Sequence, residues 1–380
     1  MSEPYLSIVC AFGHAQRSPA WLKQTRQFLS ATAIQAARHR LSLEIILVDR
    51  DSAGEGTAAA NLLGALPCNE FADIRIISVP GAEILNGHVI DRERRLQNIG
   101  IRRARGAFVL ATGTDVIFGS GLVKLFAARV LREGSTYHAL RIDTAPAYLD
   151  PSCVDPAEAE TLCRQGAFAA SLPPLRIGFD GRGASMSDTI WDETIRRAGA
   201  ELGMDRMANV VRFSLGNFLL MSRENWLRIG GFPEWNVSDP YFDRIALVQA
   251  RYLGWPTTIA PVSCHYFSVS ALRDVPIERD LYLDEDGDLR IKIELPPIRH
   301  LNNWQSAKLL TLLNNALPIP PAGPPVEVRV NASDWGLGGF DLPEVTGATL
   351  PASATDIIAQ ELRLGAAPSG RTAPTMENRT

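Results

Sequence analysis

Four short apolar runs, separated by helical segments, constrain this chain more than any other feature. They span residues 6–12, 44–49, 74–79 and 108–111. Each is too short for a stable helix and is mostly apolar, the pattern of a strand buried on both faces. Between the first two, Ser18-Pro19 supplies a cap followed by proline in a first helical turn. Trp21, Leu22, Phe28, Leu29 and Ala33 then recur on one face of that helix. Strands alternating with helices predict an α/β fold whose sheet is mixed, mostly parallel, and flanked by helices.

The fourth run carries the strongest functional signal. An amphipathic segment, Gln97-Asn98-Ile99-Gly100-Ile101, leads to Gly106, then to the apolar residues 108–111, then to Thr112-Gly113-Thr114-Asp115. One carboxylate, Asp115, is thus delivered where a strand stops, the edge at which open α/β sheets bind ligands. A carboxylate there can hold a divalent cation against a diphosphate, because hard cations take oxygen ligands.

Bulk properties exclude several classes. At 380 residues and 46% hydrophobic, the chain can bury a large core. A formal net charge of -4 argues against a general nucleic-acid binder. The five cysteines, Cys10, Cys68, Cys153, Cys163 and Cys264, have no zinc-like spacing and fit a reducing compartment. No signal-peptide pattern opens the chain, and no apolar run approaches the roughly eighteen residues of a spanning helix. A cytoplasmic location is the expectation.

The remainder divides by composition. Residues 145–210 are punctuated by proline and glycine and read as an insertion, with helical patterns near 156–165 and 188–202. Regular patterning resumes with a strand ending at Met221, a helix over 223–229, a second over 240–253 and a strand over 257–265. Residues 281–295 read as a hairpin turned at Asp286-Gly287. A domain over 1–300, a helix over 301–317, a Pro-rich linker over 318–325 and an extension over 326–380 complete the reading. Five of the eight linker residues are proline, and the end of the extension has a disordered composition.

The order of these elements resembles the GT-A glycosyltransferases, in particular inverting, family 2-like, nucleotide-sugar-dependent members. Four stretches carry the resemblance over residues 6–268: Asp49-Arg50-Asp51-Ser52, Arg94-Arg95-Leu96-Gln97-Asn98-Ile99-Gly100, Gly113-Thr114-Asp115, and Gly230-Gly231-Phe232-Pro233-Glu234 with Asp243 and Gly254 beyond. The resemblance implies that Asp49 contacts the nucleoside with Asp51 nearby, and that Arg95, Asn98 and Thr114 belong to the donor site. It implies Asp115 and His265 as ligands of Mg²⁺ or Mn²⁺. It implies Asp243 as the base that takes the acceptor hydroxyl proton. Asp239 competes for that role, although a residue directly before Pro240 is also a natural helix cap.

The chain departs from the family twice. Gly113 stands where a first motif carboxylate is usual, and Gln97 where arginine is usual. The implied partners are a nucleotide-sugar donor and a glycan or glycolipid acceptor, with a peripheral inner-membrane contact compatible with surface-polysaccharide or glycolipid assembly. Two alternatives stand beside this reading: a catalytically lapsed GT-A module with a binding role, and a nucleotidyltransferase.

Overall fold

The computed structural model describes residues 3–12, 19–51, 63, 68–80, 92–144, 155–172, 175–178, 218–234, 242–260, 263–269, 281–283, 289–291 and 330–346. In chain order, the first half holds β1 (Leu6–Phe12), α1 (Pro19–His39), β2 (Leu43–Asp51), β3 (Ala72–Pro80), α2 (Arg92–Arg103), β4 (Phe108–Thr112), β5 (Val116–Phe118), α3 (Ser120–Ala127), β6 (Thr136–His138) and β7 (Arg141–Thr144). It continues with α4 (Pro156–Gln165), β8 (Ala167–Leu172), β9 (Leu175–Gly178), β10 (Phe218–Ser222), α5 (Arg223–Ile229), α6 (Phe242–Tyr252) and β11 (Thr257–Ile259). The last described elements are β12 (Tyr266–Val269), β13 (Leu281–Leu283), β14 (Leu289–Ile291) and β15 (Glu344–Thr346).

The four apolar runs are β1 to β4. They lie side by side in an eight-stranded sheet of order β11-β6-β10-β4-β1-β2-β3-β15. β1 pairs in parallel with β2 and β4, and β2 with β3. β10 runs antiparallel between β4 and β6. The mixed, mostly parallel sheet follows from burial on both faces. Leu6, Ile8, Cys10 and Phe12 of β1 point to one core with Phe28 and Leu29 of α1. Val9 and Ala11 point to the other, with Leu96 and Ile99 of α2 and Trp226 of α5.

Helix α2 approaches the sheet very closely. A Cβ at Gly100 would stand 2.5 Å from Val9 Cγ1 and 3.0 Å from Val48 Cγ2, so any side chain there would push the helix off the strands. Gln97 of the same helix donates to Thr112 O at 3.0 Å, tying α2 to the end of β4.

Three features depart from the sequence reading. A second sheet, β5-β12-β7-β8-β9, includes two strands inside the 145–210 stretch. These strands are three to six residues long. The strand read as 257–265 is instead β11 followed by a break, with β12 beginning only at Tyr266. Finally, residues 330–346 fold onto the main body and add β15 antiparallel to β3 at the sheet edge. The 281–295 hairpin is present as β13 paired with β14, while its Asp286-Gly287 turn lies outside the described residues. The helix expected over 188–202, the helix over 301–317 and the linker also lie outside them. No helix among the described residues is long and apolar enough to cross a membrane.

At the N-terminal end of the parallel strands, Glu44 is fully buried. Arg75 Nη1 and Arg105 Nε both donate to its Oε2 at 2.9 Å, and the Ser7 hydroxyl donates to Oε1 at 2.6 Å. Burial alone would raise this carboxyl. The Ser7 hydroxyl, the Arg105 backbone N–H and Arg75 outweigh it and hold the carboxyl below its ordinary value. A depressed carboxylate contributes stability above its unfolded value and loses it as pH falls through the folded one. Glu44→Ala should therefore cost about 3 kcal/mol or more at pH 7, as expected when one partner of a buried ion pair is removed. Urea unfolding at several pH values checks this: the deficit should shrink as pH falls below the ordinary glutamate value of 4.5.

Candidate functional site

The C-terminal ends of β1, β2 and β4 define the candidate site. Asp49 lies near the end of β2, in register with Phe12 and Ser78, and is fully buried. Asp51 is the last residue of β2, in backbone register with Pro80. Asp115 lies in the short crossing from β4 to β5, its carbonyl accepting from Val269 N at 2.8 Å. Cys10 at the end of β1 donates its thiol to Gly113 O at 3.6 Å, so β1 and the Asp115 loop are stitched together.

Gly113 and Asp115 share one space. A Cβ built on Gly113 would fall on Asp115 Oδ1, well inside van der Waals contact. The Asp115 carboxylate thus folds back over the position where a first motif side chain would emerge.

The Asp115 carboxyl is pushed up to about 6. Burial is the main cause and the nearby Glu93 carboxylate the next. Its own backbone N–H and Arg141 pull in the opposite direction, while Asp143 adds to the rise. Arg141 and Asp143 are themselves paired, Nε to Oδ1 at 2.6 Å, on β7. An acid raised by burial and by a second carboxylate is the pattern of a group positioned for a cation or a proton.

Two residues assigned to the donor site by resemblance make hydrogen bonds within the fold. Asn98 is fully buried, and its side-chain amide holds the turn after α5: Nδ2 donates to Phe232 O at 2.8 Å and to Glu234 Oε1 at 2.9 Å, and Oδ1 accepts from Phe232 N at 2.7 Å. Thr114 is buried, and its hydroxyl accepts from Thr25 of α1 at 3.1 Å.

The structure also separates His265 from Asp115. Tyr266 pairs with Phe118 and Ser268 with Val116, so His265 sits beside Gly119 at the far end of the β5–β12 ladder. Four residues of strand, at about 3.3 Å each, put the two backbones roughly 13 Å apart. His265 instead lies 3.8 Å from Glu160 of α4 and meets Phe267 edge-on. The cause is the strand boundary: the histidine precedes β12 rather than following it.

Arg95 is partly buried and donates to the Glu234 carbonyl, while Arg94 lies over the Phe232 ring and bonds Gln97. Asp243 occupies the first turn of α6; its backbone is described and its side chain is not. Asp239 lies outside the described residues. Among the described residues, no group of three or more His, Cys, Asp or Glu side chains is arranged to hold a metal ion. Sequence reasoning missed Glu93 and Asp143, which shape the Asp115 carboxyl, and missed the packing of 330–346 on the turn after α5. Trp335 within a proline-flanked stretch that also holds Val330, Leu337 and Leu342 was the available signal for the latter.

No protein-family model matches the chain, and no curated protein matches it. Solved structures overlap it in part. Residues 1–349 of S. aureus TarS are 13% identical with a TM-score of 0.39, over 70% of this chain and 60% of that one. GalNAc-T7 with UDP, GalNAc and Mn²⁺ is 12% identical with a TM-score of 0.35, over 70% of this chain and 43% of that one. The catalytic domain of Drosophila β1,4-galactosyltransferase 7, in complex with xylobiose, is 11% identical with a TM-score of 0.31, over 70% and 71%. The chain spans 60% of the TarS chain it overlaps.

Two outcomes follow from the Asp115 geometry. In chelator-treated protein, Asp115→Asn should raise stability at pH 8 by up to about 3 kcal/mol, because the ionised form is the one burial disfavours. The sign is that of a raised carboxyl: the wild-type penalty is complete above pH 6 and fades as pH falls toward 3.8, so the advantage of the variant should shrink over the same range. Thermal melts at a series of pH values read it directly. Gly113→Asp should displace the Asp115 carboxylate rather than complete a pair, and so should lower thermal stability and leave Mn²⁺ affinity by calorimetry no higher than wild type.

Proposed function

We propose that this protein transfers a sugar from a nucleotide-sugar donor to a hydroxyl of a glycan or glycolipid acceptor, with inversion at the anomeric carbon. The observation that carries the reading is the placement of Asp115. It stands at the C-terminal end of a central parallel strand, over a glycine, with its proton affinity raised to about 6. Such an edge is where α/β sheets bind nucleotides, and the ordered motifs from Asp49 to Asp243 support the same assignment.

A divalent cation suits the chemistry of this position. Asp115 is a hard oxygen donor in a field made more negative by Glu93, and diphosphate oxygens and water complete such shells around Mg²⁺ or Mn²⁺. Asp115 would hold the ion, which when bound would supply Lewis-acid stabilisation of the charge on the departing diphosphate.

The remaining roles belong to the chain. Asp49, at the end of β2, is proposed to receive the nucleoside, and Asp51 lies next to it at the strand terminus. Arg95 would reach a phosphate only by giving up its bond to the Glu234 carbonyl. Asp243, in the first turn of α6, is proposed as the base. It would accept the acceptor hydroxyl proton as the new glycosidic bond forms and the diphosphate departs, a contribution of about 10²- to 10⁴-fold in rate.

Thermal-shift measurements with UDP-, GDP- and dTDP-sugars, with and without Mn²⁺, identify the donor, since ligands of the native state raise the midpoint. With that donor, Asp243→Asn should reduce turnover at least about 100-fold while donor binding persists. Asp239→Asn should cost little, because asparagine caps a helix about as well as aspartate. An inactive Asp239→Asn with an active Asp243→Asn would move the base to position 239. Nucleotide binding without turnover of any donor would favour a binding module over an enzyme.

A further inference from the structure

The segment 330–346 packs against one short turn, Gly230-Gly231-Phe232-Pro233-Glu234. Asn331 Nδ2 donates to Gly230 O at 2.8 Å and to Phe232 O at 2.6 Å, while its Oδ1 accepts from Glu234 N at 2.8 Å. Gly336 N donates to Glu234 Oε1 at 2.9 Å, the same oxygen that accepts from Asn98. The turn is thus clasped between an asparagine of α2 and an asparagine of the C-terminal segment.

Sterics make the clasp specific. Gly231 has φ +74°, a left-handed conformation, and a Cβ there would meet Trp335 Cζ3 at 2.6 Å as well as Asn98 Oδ1. Trp335 is itself buried in the core that α2 and α5 share. Its position depends on α2, where Arg102 donates to Ser333 O and Trp335 O at 2.8 and 2.7 Å. Arg103 donates to Gly336 O, Leu337 O and Phe340 O at 2.7 to 2.8 Å. Five bonds from charged donors thus anchor the segment on α2. The far end is fixed by the bidentate pair of Arg75 with Glu344, at 2.6 and 2.8 Å.

We propose that residues 330–346 are a built-in positioning element of the active site, in which Asn331 and Trp335 hold the Gly230–Glu234 turn and through it the start of α6. This rests on the reading of Asp243 as the base. Glu234 is the last described residue before the seven residues that lead to Phe242, the first residue of α6. At the other side, Gln249, toward the C-terminal end of α6, donates to Ile229 O at 3.0 Å, so α6 is registered against α5, the helix that runs directly into the turn. Fixing the turn fixes one end of the path to Asp243, and misplacement of a reacting group by about 1 Å can cost on the order of 100-fold in rate. Asn331 and Trp335 are positioning residues: they act through the turn.

The test uses the full chain with Asn331→Ala, Trp335→Ala and the milder Trp335→Phe, which keeps a ring against Gly231. Amide hydrogen exchange, affinity for UDP, GDP and dTDP by calorimetry, and kcat and KM with the donor that turns over are measured for each. Asn331→Ala and Trp335→Ala should speed exchange in residues 230–234 and the first turn of α6 by at least tenfold, leaving β1, β2 and β4 protected. kcat should fall at least tenfold with donor KM and nucleotide affinity unchanged, and Trp335→Phe should recover most of it. Unchanged exchange in the turn and α6, exchange raised equally throughout the sheet, or an unchanged kcat with a loosened turn would each overturn the proposal. A wild-type chain that binds none of the nucleotides and turns over no donor would refute the glycosyl-transfer reading instead, and the exchange data would show the two failures apart.

Discussion

The structure depends on how closely α2 lies against the sheet. Gly100 allows the helix backbone to approach Val9 and Val48 to a distance no side chain would permit. Every later connection uses that fixed height. Gln97 reaches Thr112 at the end of β4, Asn98 reaches the Phe232 turn, and Arg102 and Arg103 reach the carbonyls of the C-terminal segment. One helix therefore relates the strand that delivers Asp115, the turn that precedes α6, and the edge of the sheet. Gln97 replaces the arginine usual in the resembling family, and its neutral amide suits a buried bond to a main-chain carbonyl better than an unpaired guanidinium would.

The two ends of the parallel sheet carry carboxylates in opposite electrostatic states. Glu44, at the N-terminal end, is surrounded by donors and held low, so it is a charge already neutralised by Arg75 and Arg105. Asp115, at the C-terminal end, is raised by burial and by Glu93 and meets Arg141 only as an opposing field. The first is an interior ion pair that sets strand register around a buried charge. Among the described residues the second makes no ion pair, and this contrast directs the functional reading to the C-terminal edge.

The main sheet was legible because its central strands are buried on both faces and so are mostly apolar. The end of β4 and the identity of Asp115 followed from the same run. The second sheet was not read from the sequence; its strands, such as Tyr266–Val269, are three to six residues long. A motif also locates a residue without giving its direction. Asn98 and Thr114 stand where the resemblance put them, yet both side chains turn into the protein, toward Phe232 and Thr25. His265 failed for a related reason, because a break between Ile259 and Tyr266 reversed which end of a strand it marks. The clasp by Asn331 and Trp335 joins residues about a hundred positions apart, a pairing that local pattern does not encode.

The central claim is that the edge formed by the ends of β2 and β4 is a nucleoside-diphosphate site with Asp115 at its cation. A crystal structure of the full chain grown with Mn²⁺ and the nucleoside diphosphate that stabilises it best tests this most directly. The account predicts anomalous manganese density bonded to an Asp115 carboxylate oxygen and to the diphosphate, with the nucleoside toward Asp49. Manganese and nucleotide bound elsewhere, or an Asp115 carboxylate still folded over Gly113 with no ion beside it while the nucleotide is bound, would contradict it.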